Sequence, residues 1–244
     1  MSFDLALIAL GAFLAALVIG SAGFAFAMVV TGIWVYVLPP AAIVLLASIC
    51  ATLLHVAGVW QLRRDIDYAL LWPFLAGSVL GVPLGVLALQ YINTAMFRHV
   101  FGAFMIAYAA YMLTSPRLPR IDLRGWAARA ADALVGWVGG ILGGLAMLQG
   151  TLPTMWCALR GWDKRKSRLL YQPYIGFTAI LVMIIVGFTA DVDTSRLGVY
   201  LLVCLPALAV GYWIGLKVFD WISEARFRRL VLWLILASGI SLQL

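Results

Sequence analysis

The sequence Gly20-Ser21-Ala22-Gly23 interrupts a long apolar stretch that runs from Phe3 to Leu38. This stretch is too long for one ordinary transmembrane helix, which needs about 20 residues. A second long stretch, from Asp132 to Leu159, is interrupted in the same way by the glycine pairs at 139–140 and 143–144. Each stretch is therefore either one long tilted helix or a hairpin of two short helices.

The distribution of Lys and Arg among the loops distinguishes these two alternatives. If both stretches are hairpins, fifteen of the seventeen Lys and Arg residues lie on one side of the membrane, and only Arg98 and Arg196 lie on the other. If each stretch crosses the membrane once, the same residues divide ten to seven. Because cytoplasmic loops are enriched in Lys and Arg, the bias favours two hairpins, a cytoplasmic basic side, and both termini on the periplasmic or exterior side.

The composition is that of an integral membrane protein. The chain has 244 residues, of which 65% are hydrophobic and 11% are charged, and its mean hydropathy is +1.04. Its apolar runs are continuous, whereas the strands of a membrane β-barrel are short alternating segments. We therefore predict an all-α protein that crosses the lipid bilayer several times, in the bacterial inner membrane.

Several other classes of protein are disfavoured. The net charge of +7 comes from short loops between apolar runs, a pattern that controls topology and does not form a nucleic-acid surface. The three cysteines stand singly, without the spacing of a disulfide framework or a metal site, so we expect no metal and no cofactor. An intramembrane Asp pair, a suitably spaced Ser/His arrangement and an HExxH motif are all missing, so an enzyme is not expected. A homo-oligomer is compatible with the sequence.

The predicted topology divides the chain into two similar units. Residues 1–114 form the first unit, residues 115–131 form a cytoplasmic linker, and residues 132–244 form the second unit. Each unit consists of a hairpin followed by three transmembrane helices, and the second unit is inserted upside down relative to the first. The predicted helices outside the hairpins cover about 40–62, 68–91, 95–114, 167–190, 196–216 and 226–243.

Two short sequence similarities between the units support this duplication. Asp65-Ile66-Asp67 corresponds to Asp191-Val192-Asp193, and the segment 95–99 corresponds to the segment 225–229. In both pairs, the similar segments precede equivalent helices of the two units. Together they favour an inverted-topology repeat, which is a common architecture of secondary transporters.

The glycine breaks predict helix starts inside the membrane, near Phe24 to Ala27 and near Leu145 to Leu148. A helix start has unpaired N–H groups and a partial positive charge, so two starts that approach each other form an anion site without Lys or Arg. The alternative is that these glycines only let helices pack closely. The first interpretation predicts that the site includes Gly23, Phe24, Gly143 and Gly144.

Polar side chains gather around the second break. Gln149, Thr151, Thr154 and Trp156 follow it directly, and Gln172 lies in the next helix. Hydroxyls and amides can donate hydrogen bonds to an oxyanion and still release it. The first unit adds two candidates, Thr31 and Ser48. The alternative for a single Ser or Thr is a hydrogen bond back to a carbonyl of its own helix.

His55 is an ionisable residue well inside a predicted transmembrane helix, where such groups are costly and typically functional. It is either a protonatable ligand or coupling residue, or a neutral imidazole bonded to a nearby carbonyl. The tryptophans near the ends of the apolar runs are predicted to be anchors at the membrane interface. They are Trp34, Trp60, Trp72, Trp126, Trp162 and Trp221.

Three parts of the chain resemble the sulfite exporter TauE/SafE family, also called the 4-toluene sulfonate uptake permease family. They are the broken first helix at Gly20–Phe24, the pair Ser48 and His55, and a second break that leads into an Arg-Gly-Trp loop. The last part is the most specific and reads GTLPTMWCALRGWDK over residues 150–164. The resemblance covers nearly the whole chain.

The resemblance implies a carrier of sulfite or small organosulfonate anions. A negative cell interior expels an anion with about 2.3 kcal/mol per charge per 100 mV. The predicted spans contain no Asp or Glu to relay protons, so we expect an exporter whose substrate binds near the midplane between the two helix starts. The alternatives are proton-coupled uptake of a sulfonate that depends on His55, and a scaffold that transports nothing.

Overall fold

The computed structural model describes residues 2–22, 25–114, 120–190, 192, 194–221 and 224–243, which form ten α-helices and no strand. The predicted all-α class is confirmed. The helices are α1 (Ser2–Ala22), α2 (Phe26–Trp34), α3 (Pro40–Leu62), α4 (Tyr68–Tyr91), α5 (Thr94–Thr114), α6 (Gly125–Ala146), α7 (Thr151–Leu159), α8 (Lys164–Thr189), α9 (Thr194–Trp221) and α10 (Glu224–Ser241).

Six of the described helices are long and apolar enough to cross a membrane, namely α1, α3, α4, α5, α8 and α9. The chain is therefore a multi-pass membrane protein. By contrast, α2 and α7 have 9 residues each. At 1.5 Å per residue such a helix is only about 14 Å long, which is half of the hydrocarbon thickness.

The second helix break lies further along the chain than the glycines predicted. Helix α6 runs without interruption through 139–140 and 143–144 and ends at Ala146, and α7 begins at Thr151. The predicted helix start near Leu145 to Leu148 is therefore wrong. Glycines remain helical where a neighbouring helix packs against them, and the chain turns instead at Met147, whose φ is 59°.

The start of α6 also differs from the prediction. Residues 125–131, which were predicted to belong to the linker, form the first turns of this helix. The Ala-rich sequence from Ala127 to Ala133 favours the helical conformation. As a result, Asp132 lies inside α6 and not at its beginning.

The first hairpin is held closed by Trp34 at the end of α2. Its indole Nε1 donates a hydrogen bond to the carbonyl oxygen of Ile8, near the start of α1, at 3.1 Å. Gly11 makes room for this ring, since a Cβ at that position would lie 2.5 Å from Nε1. The chain therefore reverses between α1 and α2. Trp34 is fully buried, so its predicted role as an interfacial anchor is wrong.

The second hairpin is closed in a similar way. The Trp156 Nε1 of α7 donates to Asp132 Oδ1 of α6 at 2.7 Å, and α7 therefore folds back along α6. Both breaks contain a non-glycine residue in the left-handed conformation. Ala25 has a φ of 70° and Met147 a φ of 59°, and no other non-glycine residue in the described ranges has a positive φ.

The chain forms two compact units, and each draws helices from both halves of the sequence. Unit 1 comprises Met1–Cys50, Ile92–Pro116 and Asp191–Leu244. In it, α1 packs against α9 and α2, and α5 packs against α10. Unit 2 comprises Ala51–Tyr91 and Arg117–Ala190, and in it α4 packs against α6 and α8.

Glycines four residues apart form the contact between α4 and α6. A Cβ added to any of them would lie closer to the backbone of the facing helix than real Cβ atoms do. Gly144 therefore serves close helix packing, the alternative to a role in the anion site. A Cβ on Gly144 would lie 2.5 Å from the carbonyl oxygen of Val82. The glycines of this seam are Gly77, Gly81 and Gly85 on α4, and Gly136, Gly140 and Gly144 on α6.

A seam of the same kind joins α1 and α9 in unit 1. Gly211 and Gly215 of α9 face the backbone of Phe13 and Leu17 in α1. Close approach of helices in membranes relies on such small residues, because lipid provides no hydrophobic driving force between helices.

We predict that Gly81→Ala destabilises the protein by about 2 kcal/mol or more, because the new methyl group would overlap the Trp137 carbonyl oxygen. Gly198→Ala is the matched control, since nothing lies within 4 Å of a Cβ there, and a small stabilisation of at most about 1 kcal/mol is expected. Thermal unfolding in detergent measures both variants. Equal melting temperatures for the two would contradict the seam.

Candidate functional site

The first turn of α7, in unit 2, has backbone N–H groups without acceptors. Thr151 N donates to Leu148 O at 3.1 Å, and Thr154 N donates to Gly150 O at 3.2 Å. Among the described residues, the N–H groups of Gln149, Gly150 and Leu152 have no acceptor. Unpaired N–H groups at a helix start carry partial positive charge, so this turn can bind an oxyanion.

Gln149 stands at this turn with its side chain buried. The residue is 1% exposed, and its Oε1 atom has no hydrogen-bond partner. Gly143 makes room for it, because a Cβ on Gly143 would lie 2.9 Å from the Gln149 Cβ and 3.3 Å from the Thr178 Cγ2. A buried amide oxygen without a partner costs about 1–3 kcal/mol, so packing alone does not account for this polar side chain.

The predicted hydroxyl ligands differ in their availability. Thr154 Oγ1 donates to Gly150 O at 2.8 Å, and Ser48 Oγ donates to Leu45 O at 2.7 Å. Both hydroxyls therefore bond to nearby backbone carbonyls, which was the alternative to a role as ligands. Thr31 Oγ1 in unit 1 is buried and has no partner. Thr151 is the first residue of α7. Gly23 and Phe24 lie outside the described residues.

Asp132 is a buried carboxylate that was not among the predicted site residues. It is 3% exposed and accepts the hydrogen bond from Trp156. The sequence placed it at the very beginning of the second apolar stretch, because the charge-free run begins one residue later, at Ala133. The signal that would have placed it inside a helix is the helix-forming sequence around it.

His55 and Gln172 are neighbours in a second polar cluster of unit 2. His55 is 3% exposed, and its Nδ1 atom has no partner. Gly176 of α8 packs against it, since a Cβ there would lie 3.4 Å from the His55 Cβ. The Gln172 side chain packs on Gly58, one helical turn beyond His55.

The structure places this cluster and Gln149 on different faces of α8. Gln172 and Gly176 share one face of α8, while Tyr174 and Thr178 lie about 200° around the helix, two residues away. Thr178 borders Gln149, and Tyr174 Oη donates to Gly136 O of α6 at 3.0 Å. Gln149 and His55 therefore face different sides of the same helix.

Three Lys/Arg-rich segments lie at one end of unit 2. Arg165 forms a 3.1 Å salt bridge with Asp65, and Ile121 N donates to Leu159 O at 2.8 Å. The loop after α3, the segment before α6 and the loop after α7 therefore share this end.

In the described part of the chain, no group of three or more His, Cys, Asp or Glu side chains could hold a metal ion.

A multi-pass helical protein with two broken hairpins has features typical of a secondary transporter. A model of the family described as "Sulfite exporter TauE/SafE" matches residues 8–242. The chain belongs to this family, whose members are membrane transporters of sulfite and sulfonates. No curated protein and no solved structure matches the chain.

We predict that Asp132 and Trp156 are energetically coupled. A double-mutant cycle with Asp132→Ala and Trp156→Phe should give a coupling energy of about 1.5–3 kcal/mol, the range for a hydrogen bond to a charged group. The same cycle with Trp72→Phe, an exposed indole on α4, should give a value near zero. Additive effects of Asp132→Ala and Trp156→Phe would show that this bond does not hold the hairpin.

Proposed function

We propose that the protein is a facilitated exporter of sulfite or small organosulfonate anions, and that the anion binds at the start of α7. The observation that carries this proposal is the group of three N–H donors, at Gln149, Gly150 and Leu152, beside a buried amide oxygen without a partner. The SO3 group of such an anion has three oxygens that accept hydrogen bonds. Three donors on one turn match this group.

The depth of this turn supports a binding site within the bilayer. Gly150 and Arg160 cap the two ends of α7, and the ten residue steps between them correspond to a rise of about 15 Å from the Lys/Arg-rich end of unit 2. This distance is half of the roughly 30 Å hydrocarbon thickness. An anion at the α7 start would therefore lie near the midplane, where transporters with broken helices typically bind their substrates.

Neutral donors suit a carrier because they bind an anion without trapping it. A 180° rotation of the Gln149 amide would place its Nε2 donor where Oε1 now lies. The amide nitrogen and oxygen are nearly the same size, so this rotation changes the packing little. The Oε1 atom, which has no partner, then exchanges places with the donor at little steric cost. Selectivity for an oxyanion follows from several donors that lie on one turn and have no acceptor in the protein.

The proposed direction follows from charge. With the Lys/Arg-rich loops in the cytoplasm, a negative interior drives a monovalent anion outward with about 2.3 kcal/mol per 100 mV. Export therefore needs no coupled ion. We place the protein in the bacterial inner membrane with both termini on the exterior side.

We also propose that the two halves of the chain are inverted repeats. Under this repeat α1 corresponds to α6 and α9 corresponds to α4, and the extensive contacts of α1 with α9 match those of α6 with α4. The start of α2 then corresponds to the start of α7. That Gly23, Phe24, Thr31 and Ser48 act with this second start on one substrate stays a prediction.

We predict that Gln149→Leu lowers sulfite efflux from proteoliposomes about tenfold at subsaturating sulfite, because one hydrogen bond to the anion is lost. Gln90→Leu is the matched control. Its exposed amide donates to Thr189 O at 3.4 Å, and we expect wild-type flux. Wild-type liposomes that move a cation and no sulfite or sulfonate would overturn the proposed function.

A second prediction separates export from proton-coupled uptake. His55→Asn should retain voltage-driven efflux within about twofold of wild type, because the His55 cluster faces away from Gln149 on α8. Efflux at fixed membrane potential and several external pH values measures this. Loss of a pH-dependent accumulation in His55→Asn would instead support proton-coupled uptake.

A further inference from the structure

The Arg-Gly-Trp loop after α7 has no role in the proposed site. Arg160 is the last residue of the turn that ends α7, and Gly161 has a φ of 64°, a conformation that favours glycine. Trp162 N donates to Cys157 O at 3.1 Å. This compact turn fixes the positions of Arg160 and Trp162 relative to α7.

The Arg160 guanidinium lies near the faces of two indole rings. Its Cζ atom is 5.8 Å from the centroid of Trp156 and 5.4 Å from that of Trp162, both within the range of cation–π contacts. Trp156 is itself fixed by its hydrogen bond to Asp132. The guanidinium is therefore held in place by aromatic surfaces.

One donor of this guanidinium is unused. Arg160 Nη1 is buried and has no hydrogen-bond partner. Its charge attracts the Asp132 carboxylate, but within the described ranges Arg160 forms no salt bridge that would occupy this donor. An arginine that only caps a helix end would donate to the last carbonyl groups, but Nη1 donates to none of them. The charge of Arg160 complements the negative end of α7, which does not account for the unused donor.

A second cation lies beside the same loop. A Cβ on Gly161 would lie 3.2 Å from the Nε atom of Arg120, and the Ile121 to Leu159 hydrogen bond fixes the backbone next to Arg120. Rigid guanidinium groups bind oxyanions strongly, because they donate charge-assisted hydrogen bonds in a planar geometry.

We propose that Arg160 is an anion-binding residue at the Lys/Arg-rich end of unit 2. It donates from Nη1 to an oxygen of the sulfite or sulfonate group before the anion moves the length of α7 to its start. This inference rests on the proposed function. In this position, Arg160 also screens the approaching anion from the negative end of the α7 dipole.

The test is the concentration dependence of efflux from proteoliposomes loaded with sulfite or methanesulfonate. Arg160→Gln should raise the half-saturating anion concentration at the Lys/Arg-rich side about tenfold, with the maximal rate within about twofold of wild type. Arg165→Gln is the control. It removes the same charge from the same end, where Arg165 is exposed and pairs with Asp65, and it should change half-saturation by less than about twofold.

The outcomes separate the two proposals. Wild-type liposomes without anion flux refute the proposed function, whereas wild-type flux with equal half-saturation in Arg160→Gln and Arg165→Gln refutes only the role of Arg160. If Arg160→Gln is not monodisperse in detergent, Arg160→Lys takes its place. Arg160→Lys keeps the charge and loses the planar fork, so half-saturation should rise several-fold, and an unchanged value overturns the inference.

Discussion

Backbone N–H groups in a hydrocarbon environment must find acceptors, because no water is present to bind them. A helix that starts about halfway through the bilayer violates this requirement unless something else satisfies its first turn. The start of α7 leaves the N–H groups of Gln149, Gly150 and Leu152 without acceptors. The proposed anion binding at this turn rests on the same constraint, since a bound oxyanion would satisfy all three donors.

The rest of unit 2 holds this turn in place. The glycine seam brings α6 within backbone contact of α4, and the bond from Trp156 to Asp132 folds α7 back along α6. Gly143 has no side chain, so Gln149 can lie against α6 beside the turn. The same residues that pack the helices therefore also position the donors.

Much of the fold follows from the sequence because apolar run length and loop charge are strong signals. The bounds of α3 and α4 match the predicted helices, and both breaks exist. The position of the second break did not follow, because glycines tolerate both a helix and a turn. Contacts with α4 at Gly140 and Gly144, and with Tyr174 and Gln149 at Gly139 and Gly143, surround this stretch while it stays helical. Trp34 was misplaced because its partner, Ile8, is distant in sequence. Asp132 was placed at a helix start because the helix-forming residues before it were assigned to the linker.

For the candidate site, the sequence predicted the types of residue but not their arrangement. The sequence indicated a helix start with Gln149 beside it, but it provided no means to place His55 and Gln149 on different sides of α8 or to find the unused donor of Arg160.

The most direct measurement is a crystal structure with selenite, whose selenium is located by anomalous scattering. We predict a peak about 3.5–4 Å from the N–H groups of Gln149, Gly150 and Leu152, as expected for oxygens in hydrogen-bond contact. If saturating selenite binds at other positions and leaves this turn empty, anion binding at the α7 start is contradicted.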